Sequence, residues 1–222
     1  MPNEISGIIV AAGSGVRMGG VRKPLIKLSG VTVFERVLKA FCESKVDEII
    51  VVGIESELAP YAKSASKPVK FVPGGKTRML SVYNGVMAAG KMCIVHDCAR
   101  PFVTAEIIDS IIDATMQKGA ATASCRVTDT IKLVDREKGI LTAPDRDHLV
   151  AVQTPQGFGR LAYLAAFATA KKQSKAFTDE STLLENAGFY VEYVDSPKSN
   201  IKLTTADDVK LAKAMLFLKE HS

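Results

Sequence analysis

The segment Val10-Ala11-Ala12-Gly13-Ser14-Gly15-Val16-Arg17-Met18-Gly19-Gly20 sets small residues beside a cation, with Lys23 three residues further on. Small side chains let backbone N–H groups approach an anion closely, and successive amides form a nest for it. Residues 1–30 carry four basic side chains, Arg17, Arg22, Lys23 and Lys27, against Glu4 alone. Cations that near a nest suit a polyphosphate whose negative charge grows in a transition state. Two familiar phosphate-binding templates fail. The dinucleotide fingerprint needs glycine where Met18 stands, and the Gly-Lys-Ser/Thr of a P-loop is absent. On these residues alone, a plain strand-to-turn connection with solvated cations stays open. A His/Cys metal site does not fit: Cys42, Cys93, Cys98 and Cys125 form no CxxC, and of three histidines His221 is nearly terminal.

The loop must hang on something, and the hydrophobic pattern supplies it. Ile5–Val10 is an unbroken apolar run, as expected of a parallel strand buried on both faces. Val33, Val37, Leu38 and Phe41 follow at helical spacing, then a strand at Glu48–Val52, a short helix near Glu57–Ser64 and a strand at Val69–Val72. A helix at Arg78–Ala89, a strand at Met92–Val95, a helix capped by Thr104 and ended by Gly119, and a strand at Ala120–Val127 continue the alternation. Residues 129–154 break it: Ile131, Leu133 and Ile140–Thr142 read as a polar hairpin around Asp135–Gly139, an arm leaving the sheet. Helices at Gly159–Lys171 and at Asp179–Ala187 (capped by Thr178, ended by Gly188), a strand at Tyr190–Val194 and a helix from Ala206 capped by Thr205 complete the chain. This order predicts one α/β domain over residues 1–222, a doubly wound and mostly parallel Rossmann-like sheet with a protruding β-arm. The hairpin has little core of its own, which points to a homodimer formed through the arm.

Composition removes several function classes. Charged residues are 24% and hydrophobic residues 47%, the range of a soluble globular chain rather than a disordered or fibrous one. No apolar run approaches the ~20 residues of a membrane span, so no membrane partner is expected. The net charge of +5 is modest, aromatics are 6%, and no block of Lys/Arg exceeds two, which disfavours nucleic acid but not small anions. The scattered cysteines read as reduced thiols of a cytoplasmic protein, or of the plastid stroma if this is a mature plant or algal chain.

Seven ordered segments together resemble a known family. Ala-Ala-Gly-x-Gly-x-Arg-Met followed by Lys-Pro-Leu is similar to the signature of nucleotidyltransferases that join a nucleoside triphosphate to a phosphate ester. Gly74-Gly75-Lys76-Thr77-Arg78-Met79-Leu80-Ser81-Val82-Tyr83-Asn84-Gly85 resembles their GGxxRxxSVxxG. Val95-His96-Asp97-Cys98-Ala99-Arg100-Pro101-Phe102 resembles the VHDAARPF of the 2-C-methyl-D-erythritol 4-phosphate cytidylyltransferase family. Asp129-Thr130-Ile131-Lys132, Thr154-Pro155-Gln156-Gly157-Phe158, Thr178-Asp179-Glu180 and Asn200-Ile201-Lys202 match later blocks in order, so the resemblance spans residues 5 to about 218.

The implied reaction joins CTP to methylerythritol 4-phosphate and releases pyrophosphate. A phosphate monoester is largely dianionic at pH 7, its second pKa being about 6. It attacks the α-phosphorus without a general base, leaving positioning and charge neutralisation as the work. By resemblance Arg17 and Lys23 stabilise the transition state. The family usually reads Pro-Lys-Gln where this chain has Arg22-Lys23-Pro24, so Arg22 and Lys27 stay alternatives to Lys23. Asp97, at the carboxyl end of an apolar strand, suits Mg²⁺ or another divalent cation, which takes oxygen ligands and keeps phosphates and water in its shell. Lys202 is assigned to catalysis and to substrate. Ala11, Ala12, Gly13, Ser14, Gly15, Gly75, Lys76, Ser81 and Cys98 are expected around the nucleotide, with Lys76 where an acidic residue is more usual. Arg100, Thr130, Arg146 and Thr178 join Lys202 around the polyol phosphate. His96 is expected to position its loop, since a reaction without proton transfer has no role for a base there.

Two other readings compete. Ribitol 5-phosphate cytidylyltransferases share the CTP motifs, although His-Asp-Cys-Ala-Arg-Pro leans away from them. A dinucleotide-binding oxidoreductase also begins with strand, glycine loop and helix, but it needs glycine in place of Met18 and an acidic residue in place of Gly53.

Overall fold

A computed structural model describes residues 4–13 and 22–221. In chain order the elements are β1 (Ile5–Val10), β2 (Lys27–Leu28), β3 (Val31–Thr32), α1 (Val33–Glu43), β4 (Glu48–Val52), α2 (Glu55–Leu58), β5 (Val69–Val72), α3 (Arg78–Ala88) and β6 (Met92–Asp97). They continue with α4 (Ala105–Lys118), β7 (Ala120–Arg126), β8 (Leu133–Asp135), β9 (Gly139–Thr142), β10 (Val150–Gly159), α5 (Arg160–Lys172), α6 (Glu180–Asn186), β11 (Glu192–Asp195) and α7 (Ala206–Glu220).

Seven strands form one sheet in the order β11-β7-β10-β6-β1-β4-β5, parallel except for β10. Successive residues of a strand point to opposite faces, so the apolar runs feed two layers. Ile9, Ile49, Val51 and Ile94 cluster with α1, α4 and α7; Ile8, Ile50, Val52 and Val95 cluster with α3, α5 and α6. Local sequence sets the helix starts. Thr32 and Glu35 form a reciprocal capping box on α1, and Thr104 and Thr205 cap α4 and α7 as their positions predict. Gly119 ends α4 at φ +88°, a conformation that favours glycine.

Several sequence expectations are corrected. The largest concerns β10. Val150-Ala151-Val152-Gln153-Thr154-Pro155-Gln156-Gly157-Phe158-Gly159 carries Gln, Thr, Pro and Gly, so it does not read as a strand, yet it runs antiparallel between β6 and β7 with a bulge between Val152 and Gln156. The excursion therefore ends before Val150, which pairs with Arg126, and not at Thr154. The hairpin β8–β9 itself forms where expected, as a separate two-stranded ribbon whose Val134 and Ile140 are 62% and 65% exposed. Asp179, not Thr178, caps α6: its carboxylate accepts from Thr182 N–H, and the Thr178 hydroxyl donates to it. The helix near residues 57–64 is the shorter α2 followed by a 3-10 turn at Ala59–Tyr61, where Pro60 interrupts. β11 begins two residues later than expected, and β6 extends through Asp97.

Candidate active site

The strand order reverses at β1: β4 and β5 lie on one side of it and β6 on the other. Open α/β sheets bind ligands beyond the carboxyl ends of strands at such a switch point. Val10 and Asp97, the last residues of β1 and β6, are paired partners there. Past them the chain is held low: Ala11 N–H donates to Val52 O at 2.8 Å and Cys98 N–H to Val10 O at 3.1 Å. The loop before α3 closes over this floor. A Cβ on Gly74 would collide with that of Ala12, and one on Gly75 with Leu80, so both positions need glycine for the close approach. Ser81 fixes the loop: its hydroxyl accepts from Gly75 N–H at 2.9 Å and donates to Thr77 O at 2.9 Å. The result is a cavity of about 480 Å³ lined by Ala11, Ala12, Gly13, Lys23, Gly75, Lys76, Arg78, Ser81, Asp97, Cys98 and Lys202 among others.

A second cavity of about 180 Å³ adjoins it, bordered by Arg100, Gln153, Thr154, Gln156, Thr178 and Asp179, and sharing Arg78, Asp97 and Lys202 with the first. The shared wall is an ion cluster. Asp97 Oδ1 accepts from Arg78 Nε at 2.9 Å and Oδ2 from Lys202 Nζ at 2.5 Å. Arg78 Nη1 and Nη2 grip Glu180 at 2.7 and 3.0 Å, and Nη1 also donates to Thr178 O. Burial pushes the Asp97 carboxyl up, but Arg78 and Lys202 outweigh it and hold it well below the usual carboxylate range. Burial likewise opposes the Arg78 charge, and Glu180 and Asp97 overcome it and raise the guanidinium's pKa. Beneath the cluster, His96 is fully buried. Its Nε2–H donates to Arg100 O at 3.1 Å, because a carbonyl only accepts, so Nδ1 takes the hydroxyl proton of Thr154 at 3.0 Å. Thr154 Oγ1 in turn accepts from Asp97 N–H at 3.1 Å. One neutral imidazole thereby braces the backbone at both Asp97 and Arg100, the positioning role expected of it.

The model of the 2-C-methyl-D-erythritol 4-phosphate cytidylyltransferase family matches residues 5–218. The chain belongs to that family. It is a nucleotidyltransferase. A relative named 2-C-methyl-D-erythritol 4-phosphate cytidylyltransferase from Caldanaerobacter subterraneus is 39% identical, covering 98% of this chain and all of the relative; one from Bacillus cereus is 36% identical over 96% and 98%. The crystal structure of 4-diphosphocytidyl-2C-methyl-D-erythritol synthase from Anaerococcus prevotii superposes with a TM-score of 0.88 at 31% identity, over 97% of this chain and 96% of that one. The oxidoreductase reading falls with these matches, and nothing in them favours ribitol phosphate.

Within this family's fold, the candidate residues divide into those the structure gathers and those it does not. Ala11, Ala12, Gly13, Lys23, Gly75, Lys76, Ser81, Asp97, Cys98 and Lys202 share the larger cavity; Arg100, Thr178 and Lys202 share the smaller. Arg22 is paired with Glu57 and Lys27 is an exposed residue of β2, so of the three alternative cations Lys23 is the one at the cavity. Ser14, Gly15 and Arg17 lie outside the described residues. Thr130 and Arg146 are exposed in the arm segment and line neither cavity of their own chain; Arg146 Nη1 donates to Thr128 O at 3.0 Å. Arg78 and Glu180 were given no role by sequence reasoning. Their signal was present, since both fall inside the motifs Gly74–Gly85 and Thr178-Asp179-Glu180, but nothing in the sequence shows that they meet.

A divalent cation fits the donor set in one form only. Among the described residues no group of three or more His, Cys, Asp and Glu gathers, so an all-protein cage is excluded there. Mg²⁺ is commonly held by one or two carboxylates plus substrate phosphates and water. Asp97 is an ionised carboxylate at the wall of the larger cavity, of the kind such a cation takes, and here its two oxygens accept from Arg78 and Lys202.

Proposed function

We propose that this chain transfers the cytidylyl group of CTP to 2-C-methyl-D-erythritol 4-phosphate, giving 4-diphosphocytidyl-2-C-methyl-D-erythritol and pyrophosphate in the non-mevalonate route to isoprenoids. The observation that carries the reading is the shared wall. A nucleotide-sized cavity and a smaller one meet at Arg78, Asp97 and Lys202, where two substrates react if one fills each. A phosphate oxygen of the polyol ester attacks the α-phosphorus, and the bond to the bridging oxygen of the β-phosphate breaks. Lys23 and Arg17 neutralise the α-phosphate and the departing pyrophosphate. Lys202 and Arg100 hold the attacking phosphate, with Thr178 beside them. The nucleotide rests on Ala11 to Gly15 and under the Gly75–Ser81 loop, whose fixed backbone reads the cytosine edge. Asp97 would hold Mg²⁺, which when bound neutralises part of the triphosphate charge.

The arm completes the picture as a dimer contact. Thr130 and Arg146 serve the site of a second subunit, in keeping with an exposed apolar ribbon that has no core beneath it. The relatives are bacterial and no described helix is long and apolar enough to cross a membrane; the cytoplasm is the compartment we assign. Pyrophosphate release, measured with CTP and each polyol phosphate in turn, tests the reaction. Methylerythritol 4-phosphate should support turnover and ribitol 5-phosphate should not; turnover with ribitol 5-phosphate alone overturns the assignment.

A further inference from the structure

We propose that Glu180 is a positioning residue for this reaction, a buried carboxylate that keeps Arg78 from closing over Asp97. The inference rests on the function just argued and concerns how its acidic ligand is kept available. Glu180 is 2% exposed, and its two oxygens take both terminal nitrogens of Arg78, at 2.7 and 3.0 Å. That leaves Nε as the nitrogen by which Arg78 reaches Asp97, through Oδ1 at 2.9 Å.

A guanidinium prefers to bind a carboxylate with two parallel N–H groups. Arg78 has two carboxylates to choose from, and the structure spends the two-point grip on Glu180. Asp97 thereby takes only one contact from Arg78, on Oδ1, while its Oδ2 accepts from Lys202. Without the Glu180 charge, a mostly buried Arg78 would have Asp97 as its remaining anion, and its fork would turn to cover both oxygens of the residue that should face the nucleotide.

The carboxylate is not needed to place α6. The backbone amides of Glu180 and Ser181 both donate to Gln156 Oε1 at 2.9 Å, and Asp179 caps the helix. A buried acid that its own helix does not require, set against a cation at the reaction wall, has its use in that cation. Burial leaves the Glu180 carboxyl above its ordinary value although Arg78 pulls it down, so its place in the cluster rests on the two-point contact with that guanidinium.

The experiment compares wild type with Glu180→Gln and Glu180→Asp. Calorimetric affinity for CTP is measured without polyol phosphate, once with saturating Mg²⁺ and once in chelator, and turnover is measured separately. Loss of a residue that orients a metal ligand typically costs 10–100-fold, so Glu180→Gln should lose roughly that factor in turnover and in CTP affinity with Mg²⁺. The chelator arm should stay near wild type, and Glu180→Asp should recover part of the loss. Equal losses with and without Mg²⁺, or wild-type values in both, overturn the proposal. Should Glu180→Gln fail to fold, Arg78→Lys takes its place, because an ammonium cannot bridge both carboxylates as the fork does; an unchanged Mg²⁺ arm then overturns it. Wild type that neither binds CTP with Mg²⁺ nor turns over refutes the functional reading itself, and the inference with it.

Discussion

Arg22 and Lys23 are neighbours in sequence with separate tasks: the Arg22 guanidinium is paired with Glu57 at 2.7 Å, while Lys23 lines the larger cavity. Their positions favour Lys23 over Arg22 as the cation that meets the triphosphate, which the two variants below test.

Lys23→Ala should lower kcat by roughly 10²–10³, the usual cost of losing one preorganised charge at a transition state. Arg22→Ala loses a partly exposed ion pair, which costs at most about 1 kcal/mol of stability, and should leave turnover near wild type. Steady-state kinetics on both variants decide it. A healthy Lys23→Ala enzyme beside a crippled Arg22→Ala enzyme would transfer the role.

Stability should depend on pH through His96. Burial lowers its pKa from 6.5 to about 4. Between those values the unfolded chain takes up a proton that the folded chain refuses. Its contribution is therefore complete above pH ~6.5 and declines as pH falls toward ~4, to a total of about 3 kcal/mol. Denaturant titrations at several pH values should show that decline in wild type and a flatter profile in His96→Gln. Parallel profiles would refute it.

Ser81→Ala should act on nucleotide affinity more than on turnover. Its hydroxyl holds Gly75 N–H, and removing it strands a backbone donor at a cost of about 1–3 kcal/mol. The KM for CTP should rise about tenfold or more, with kcat changed less, as expected when uniform binding is lost. A drop confined to kcat would place Ser81 in the transition state instead.

The arm should work across the dimer. Asp97→Asn and Arg146→Ala proteins, each inactive, are mixed and allowed to exchange subunits. If Arg146 serves the partner, a mixed dimer contains one site with both residues intact and activity returns. A silent mixture, with mixed dimers confirmed by mass, sinks the swapped-arm reading.

Much of this was readable in the amino-acid order because burial writes itself as periodicity. β1, β4 and β6 are buried on both faces and appear as apolar runs, and Thr104 and Thr205 announce their helices. β10 was missed for the opposite reason. Gln153, Thr154 and Gln156 are buried polar residues whose partners, Asn200, His96 and the α6 amides, are distant in sequence. The same holds at the site. Lys23 and Asp97 stand out as charges in motifs, whereas the Arg78–Glu180 grip joins residues 102 apart, and only the fold brings them within reach.

Arg78, Asp97 and Lys202 border both cavities, so a molecule carrying both halves of the reaction needs no spacer to lie across them. The first such molecule is the product, a diphosphate joining cytidine to the polyol. Each of its ends keeps the other at high local concentration, and departure requires both to let go together. Escape of the product then competes with bond-making as the slow event. An unreactive mimic of that diphosphate would behave as a bivalent inhibitor, excluding CTP and the polyol phosphate at once.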